Sequence, residues 1–438
     1  MCWCITELLD MSMVQPKIKL ESCLESLSPL ARWKLIILEY GIDCDDDLFS
    51  GFSNVGELKT KFKYKTPTVC EKKFFDSSKK TTLVPSELFL VSGKNKTLVK
   101  MNYKVDSPFK IISSKQKLAL IEKKKGEEVE IKIEPVFRNK YVDKKYKGYS
   151  LEEYVQILGQ DRLGILAYEG CYHWNIGVQC RFCDSNPRRD WENQAPLSVN
   201  SLADYRTIGL WWQSKKDDYL RGINYTLKYI FENENIGPHR HLQLMAGNLP
   251  SPEAVWKIFG EIAKEINKVG NLREYDSYMN CLAPRQSSRT ELLEEAHCSW
   301  GFNQIQINLE VIGEQAFKRV CPGKFSLCGY KNSLDTLKEA VKIFGWGKAR
   351  SNFVLGAQPQ QDLLRGIEEI AQEGVVADFS VFIPKKFTPW EDRKSPSVKE
   401  IIIFTQSLAK IYKKNHFQPI YCRLSSRSNI LHEVLENI

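Results

Sequence analysis

The segment LGILAYEGCYHWNIGVQCRFC, residues 163–183, decides how this chain is read. It opens as an apolar run, Leu163 to Gly170, with the length and texture of a strand buried on both faces. It then delivers Cys171 and, after eight further residues, Cys180-Arg181-Phe182-Cys183. Three thiols therefore follow the carboxyl end of one strand. The two-residue gap between Cys180 and Cys183 lets both ligate one centre, and Cys171 adds a third ligand from the strand end. Three cysteines are one short of a closed four-cysteine site, and an open coordination position is where a metal does chemistry.

Working outward, the strand texture recurs at His241–Ala246, Tyr275–Ala283, Phe302–Leu309, Asn352–Gly356 and Val375–Ile383. Helical patterns lie between. Leu220, Ile223, Leu227 and Ile230 share one face. Ser251-Pro252 reads as a helix start and Gly270 as its end. Glu291–Trp300 is helical. Ser333 begins a helix with Leu334, Leu337, Val341 and Phe344 inward and Gly345 as its stop. Leu363, Leu364, Ile367 and Ile370 mark another, stopped by Gly374. Six strands alternating with helices predict an α/β fold with a parallel sheet, either doubly wound or a partial barrel. Both architectures place active sites at the carboxyl ends of the strands. Cys171, Gly247-Asn248, Glu310 and Gly356 all fall there. No Gly-x-Gly-x-x-Gly opens a helix, and no phosphate-binding loop is present.

The flanks read differently. Residues 81–150 alternate short β-branched runs (LFLV, FKII, LALIE, VEIKIEPVF) with lysine-rich breaks, which predicts a small β domain or layer. Lys123–Lys125 is expected at a solvated hairpin tip. Residues 1–80 form an N-terminal segment expected to be partly helical or loop, with one helical pattern, Leu27–Tyr40, and a turn or loop at Asp43–Asp47. Residues 391–438 predict a helix and a closing segment at the base of the sheet.

The whole chain has 438 residues, 42% apolar and 27% charged, enough for a real core and too apolar for global disorder. Its net charge of +9 does not by itself imply nucleic acid, which is not expected as a partner. No run approaches 18 apolar residues, so no membrane helix is expected. The opening MCWCITELLDMSMVQPK lacks the basic and apolar regions of a signal peptide, so the expected location is cytoplasmic. The thirteen cysteines are then expected to be reduced thiols or metal ligands.

Cys171, Cys180 and Cys183, with aromatic Phe182 before the last, resemble the cluster motif of the radical S-adenosylmethionine (SAM) superfamily. The usual first gap of three residues is eight here, as in a variant group. QINLEVIGEQAFKRVCPGK…GYKNSLDTLKEAVKIFGWGKARSNFVLG resembles the middle of biotin-synthase-like members, and VADFSVFIPKKFTPW resembles their sixth strand, with Phe387 in place of a turn glycine. The resemblance covers residues 160–390 and implies a partial (β/α)₆ barrel with an N-terminal β-rich extension. It implies a [4Fe–4S] cluster held by Cys171, Cys180 and Cys183, with SAM chelating the open iron. Reductive cleavage to a 5′-deoxyadenosyl radical would follow, with ferredoxin or flavodoxin as electron donor and the substrate unassigned. Phe182 would cover the cluster. Gly247 and Asn248 would form the turn that binds the SAM amino group, with Asn248 replacing an acid. Glu310 would contact the amino group or ribose, and Arg319 or Lys331 the carboxylate. Gly356, Val354 and Phe382 would frame the adenine.

Other readings stand beside this one. The three cysteines could form a structural zinc site with His173 as fourth ligand, in a nucleic-acid-binding protein. The barrel could instead be a non-catalytic iron–sulfur scaffold. Cys281, Cys298, Cys321 and Cys328 read as ordinary thiols, with an auxiliary cluster as the alternative. Cys2-Trp3-Cys4 reads as a terminal pair without a function. His239 and His241 read as loop contacts, and Trp211-Trp212 as core. Trp346 and Trp390 could wall a pocket. No cobalamin motif precedes the barrel.

Overall fold

The structure, a computed structural model, describes residues 22–45, 48, 87–114, 117–136, 139–184, 205–234, 241–385, 387–419 and 426–438. Cys2-Trp3-Cys4, His239 and most of residues 1–80 lie outside the described residues.

Two sheets organise the chain. The first has six strands: β1 (Asp43–Cys44), β2 (Glu87–Ser92), β3 (Asn95–Lys100), β4 (Phe109–Ser114), β5 (Lys117–Glu122) and β6 (Glu127–Pro135), in the order β1-β4-β5-β6-β2-β3. Alternation decides its faces: Ile131 and Ile133 are buried while Glu130 and Lys132 point out. The helix Pro29–Tyr40 covers the apolar face with Leu30, Trp33, Ile36 and Ile37, started by Ser28 and Pro29 and stopped by Gly41. Asp43–Cys44, expected as a turn, pairs with β4 instead, because Ile42 and Cys44 are buried against this layer. Lys123–Lys125 turn the β5–β6 hairpin, with Lys123 on Asp43 at 2.6 Å and Lys125 on Glu122 at 2.8 Å. A two-stranded ladder, β7 (Lys145–Tyr146) with β8 (Tyr149–Ser150), joins the two parts.

The second sheet contains all six expected strands: β10 (Arg162–Leu166), β11 (His241–Met245), β12 (Asp276–Cys281), β13 (Gln304–Ile307), β14 (Ala349–Leu355) and β15 (Val375–Val381). They are parallel and in sequential order. An unexpected antiparallel strand, β9 (Gln156–Leu158), adds to β10 through a turn in which Gly159 and Gln160 both have positive φ. Three residues are too short to show a period. β9 and β15 are the edges of a curled half-barrel, so the sheet is mixed α/β and does not close on itself. Helices Ile208–Asn233, Pro252–Ile266, Tyr330–Phe344 and Gln360–Ala371 connect the strands and cover the outer face. Trp212 is buried and Trp211 packs against this core. Among the described residues, no helix is long and apolar enough to cross a membrane.

The tail closes the arrangement. Helix Val398–Lys414 begins in a Ser397/Glu400 capping box and packs on β15. The short helix Leu431–Glu436 then brings Glu433 to Lys34 of the first helix, 2.7 Å apart and wholly buried. Lys34 also donates to the Ser426 carbonyl at 2.7 Å. The helix Pro29–Tyr40 of the N-terminal layer and the last helix of the chain are thus joined.

Candidate functional site

The site is built on strand ends, beginning with β10 and β11. Past β10 the chain runs through Tyr168 to Cys171, which caps the short helix Tyr172–Asn175. The Tyr168 hydroxyl donates to the Gly247 carbonyl at 2.6 Å, and the Tyr172 N–H donates to the Asn248 carbonyl at 2.8 Å. Gly247 permits this approach, since a Cβ there would stand 1.9 Å from the Gly170 carbonyl oxygen and 3.0 Å from the Cys171 Cβ. Burial pushes the Cys171 thiol up, while backbone N–H groups of Asn248, His173 and Trp174 act in the opposite direction. Gly247-Asn248 therefore lies directly against Cys171.

The Cys180–Cys183 loop is pinned by its backbone. Arg181 N–H donates to Val320 at 2.9 Å, Trp390 N–H to Arg181 at 3.2 Å, and Cys183 N–H to Cys180 at 3.1 Å. Phe182 and Cys183 pack on an apolar wall of Val311, Phe317, Val320, Val354 and Phe382. Trp390 meets Phe382 edge-on, with ring centres 5.6 Å apart. Gly356, at φ 97°, lets Phe382 hydrogen-bond back to Leu355 at 2.9 Å.

Behind the wall stands a buried ion pair. Glu310 follows β13 and forms a one-residue bridge to β14, accepting from Val354 N–H at 2.8 Å and donating its own N–H to Asn352 at 3.0 Å. Its backbone has φ 64°, a left-handed conformation that a side chain with a Cβ rarely adopts. Its Oε1 lies 2.6 Å from Nζ of Lys324 on the helix Pro322–Cys328, and Nζ also donates to the Asn308 carbonyl at 3.3 Å. Burial alone would lower the Lys324 ammonium. The negative charge of Glu310, then of Cys180 and Cys321, outweighs it and holds the lysine above its ordinary value. Cys321 caps the same helix and shares a hydrogen bond with Cys180. That bond first, and burial second, push the Cys180 thiol well up.

The ten residues singled out from sequence divide clearly. Cys171, Gly247 and Asn248 form one contact group; Cys180, Phe182, Cys183 and Glu310 gather around the wall and Lys324, with Gly356 against Phe382. Arg319 meets the cysteine loop only through its backbone, its carbonyl accepting from Arg181 Nε at 3.4 Å, and Lys331 lies apart. Arg319 is exposed, and Lys331 is exposed and paired with Asp335 at 2.7 Å. Both occupy outward faces of their helices, whereas Lys324 faces inward. Lys324 was missed, and Cys321, read from sequence as an ordinary thiol, stands beside Cys180 at the site. Their signal is Cys321, Lys324 and Cys328 at helical spacing on one face of a turn opened by Pro322. Trp346, considered as a pocket wall, precedes β14 and so stands at the amino ends of the strands, donating to the Asn415 carbonyl at 3.0 Å. His241 opens β11 and contacts Asp276 at 3.3 Å.

The donor set fits an iron–sulfur cluster. Cys171 and Cys180 are buried and Cys183 is half-buried; Cys180 and Cys183 sit in the apolar wall, and backbone N–H groups are directed at the Cys171 sulfur. Among the described residues, no three Cys, His, Asp or Glu side chains stand close enough to hold a single metal ion. His173 is buried against the Gly323 turn, and neither ring nitrogen has a hydrogen-bond partner. Burial, and then the charge of Lys324, lower its pKa to about 4, so it is a neutral imidazole.

No protein-family model matches the chain. A curated relative, the bacteriochlorophyllide c C-7(1)-hydroxylase of Chlorobaculum limnaeum, is 30% identical over 115 residues, which is 26% of this chain. The matched stretch spans 29% of that relative's length.

Proposed function

We propose that this chain is a radical SAM enzyme on a partial (β/α)₆ barrel, with Cys171, Cys180 and Cys183 holding a [4Fe–4S] cluster. The observation that carries the reading is the approach of a three-cysteine loop to a buried Glu310–Lys324 pair at the carboxyl ends of parallel strands. The relative's name describes hydroxylation at a carbon, which requires a C–H bond to be broken, and this is consistent with radical chemistry. When bound, cluster and SAM supply a one-electron cleavage of the sulfonium that yields a 5′-deoxyadenosyl radical able to take hydrogen from a substrate carbon.

The chain's own part is to bind, orient and exclude water. Asn248 offers an amide and backbone beside Cys171 for the SAM amino group. Glu310 offers a carboxylate to the amino group or ribose hydroxyls. Lys324, the buried cation, replaces Arg319 and Lys331 as partner for the SAM carboxylate. Phe182, Val354, Gly356 and Phe382 form the dry wall that strengthens these contacts. We infer a reducing compartment, the cytoplasm, with ferredoxin or flavodoxin as donor; the nine cysteines described are all free thiols.

Anaerobic reconstitution tests this. Iron, sulfide, thiolate-to-iron absorption and 5′-deoxyadenosine after dithionite reduction with SAM are all expected. Zinc with no iron would overturn the reading, and an iron cluster without SAM cleavage would favour a scaffold. Replacing Cys171, Cys180 or Cys183 singly by Ala is expected to abolish the cluster.

A further inference from the structure

Parallel sheets covered on both sides ordinarily present apolar residues to both faces. The inner face of this half-barrel does not. Gln243 on β11, Asn280 on β12, Gln306 on β13, Asn308 just beyond it and Asn352 on β14 line a cavity of about 320 Å³. They alternate along the strands with Leu242, Leu244, Met279, Ile305, Ile307 and Phe353, which are buried on the opposite face. The amides also follow the register across the sheet: Asn280 is opposite Gln306, and Asn352 is opposite Asp378.

The bonding within this set leaves a defined surplus. The Gln243 oxygen accepts from Arg162 at 3.0 Å, and the Asn352 oxygen accepts from Ser380 at 3.2 Å. The Asn308 oxygen accepts from Gln306 at 2.8 Å and from the Asn352 N–H at 3.0 Å. The amide NH₂ groups of Gln243, Asn308 and Asn352 remain as donors, together with both ends of Asn280. The carboxylate at the cavity, Asp378, is held by Arg350 through two bonds of 2.9 and 2.7 Å, so its charge is already matched. The Arg162 guanidinium lines the cavity as well, so the cavity is rich in donors, most of them amides. It reaches the cysteine site through two residues that line it: the Asn308 carbonyl accepts from Lys324, and the Asn352 carbonyl accepts from the Glu310 N–H.

We infer that this cavity holds the substrate, and that the substrate is a small compound carrying several carbonyl or hydroxyl oxygens, such as a nucleoside, a cyclic dipeptide or an acetylated sugar. The inference rests on the proposed reading of the cysteine site and adds the substrate class to it. Ligand pockets are commonly apolar with a few polar groups; the inverted composition selects for a ligand whose oxygens satisfy the donors, since unmet buried donors weaken binding. At about 320 Å³ the cavity lies at the small end of such sites.

The test is ligand-observed NMR on the full chain, without reductant. The panel contains uridine, thymidine, cyclo(Gly-Gly), cyclo(Ser-Gly), N-acetylglucosamine, uridine monophosphate and N-acetylglucosamine phosphate, with bacteriochlorophyllide c for contrast. At least one of these small oxygen-rich compounds is expected to bind, and more tightly than bacteriochlorophyllide c. Asn280→Leu and Gln306→Leu should each weaken that binding about tenfold. Asn280→Ser, which keeps a small polar group, covers the case in which the leucine variants do not fold, and should weaken binding measurably. The inference is overturned if no small oxygen-rich member binds, if bacteriochlorophyllide c binds more tightly, or if binding survives the substitutions. Iron content and SAM cleavage of the unsubstituted protein, measured separately, report on the cluster reading alone.

Discussion

Two buried lysine–glutamate pairs stand in this molecule at the same contact distance class, Lys34–Glu433 at 2.7 Å and Lys324–Glu310 at 2.6 Å, yet their lysines are displaced in opposite directions. At Lys34 burial wins over the attraction of Glu433, and the ammonium is pushed below its ordinary value. At Lys324 burial is outweighed by Glu310 together with Cys180 and Cys321. The chemistry of the pair is identical; the company differs. Around Lys34 the further partners are neutral, Thr97 and the Ser426 carbonyl. Around Lys324 they are thiols that can carry negative charge. A buried ion pair is therefore no sign of a site by itself, and its neighbours decide whether it fastens or binds.

The largest expected effect comes from breaking either pair. Lys34→Met or Lys324→Met alone leaves a buried carboxylate unmatched and should cost about 3–5 kcal/mol in urea unfolding. The double variants then separate the roles. Lys34→Met with Glu433→Leu should return near the original stability and retain SAM cleavage. Lys324→Met with Glu310→Leu should also recover stability, but with SAM cleavage reduced about a hundredfold or more. Equal activity in the two double variants would erase the distinction drawn here.

A smaller effect is expected at the contact between strand ends. Gly247→Ala forces its methyl against the Gly170 carbonyl and should cost about 1–3 kcal/mol, with reduced iron retention because Cys171 must move. Unchanged iron content would show that Cys171 can be positioned without this approach.

The smallest effect is in pH. Lys34 has a lowered pKa when folded, so between that value and 10.5 the unfolded chain binds more protons than the folded one. Stability relative to the Lys34→Met/Glu433→Leu variant should therefore rise as pH climbs toward 10.5. A fall over that range would mean that Glu433 holds the lysine charged.

The two regions also differ in how far they were legible. The six parallel strands were readable because apolar runs, proline starts and glycine stops agree locally at each βα step. The spacing of Cys171, Cys180 and Cys183 marks them in the sequence, and the structure places Cys171 beside Gly247 and the other two in the apolar wall. Lys324 was not readable, because CPGKFSLCGYK is broken by Gly329 at φ 72° and reads as loop rather than as a short inward-facing helix. The amide set was in plain view as Gln and Asn at every second position of buried strands, but period-two polarity normally signals a solvated face. Lys34 was hidden differently. Within ARWKLIILEY it looks like a solvated charge, and its partner lies 399 residues away.

Glu310 carries a consequence for how this sequence can drift. A glutamate at φ 64° sits against its own backbone preference, where asparagine or glycine would be at ease. Under selection for folding alone, position 310 should move to Asn or Gly, with an apolar residue following at 324. Under selection for turnover it should stay glutamate at the expense of stability. A deep mutational scan under the two regimes would expose this one carboxylate as the point where they part.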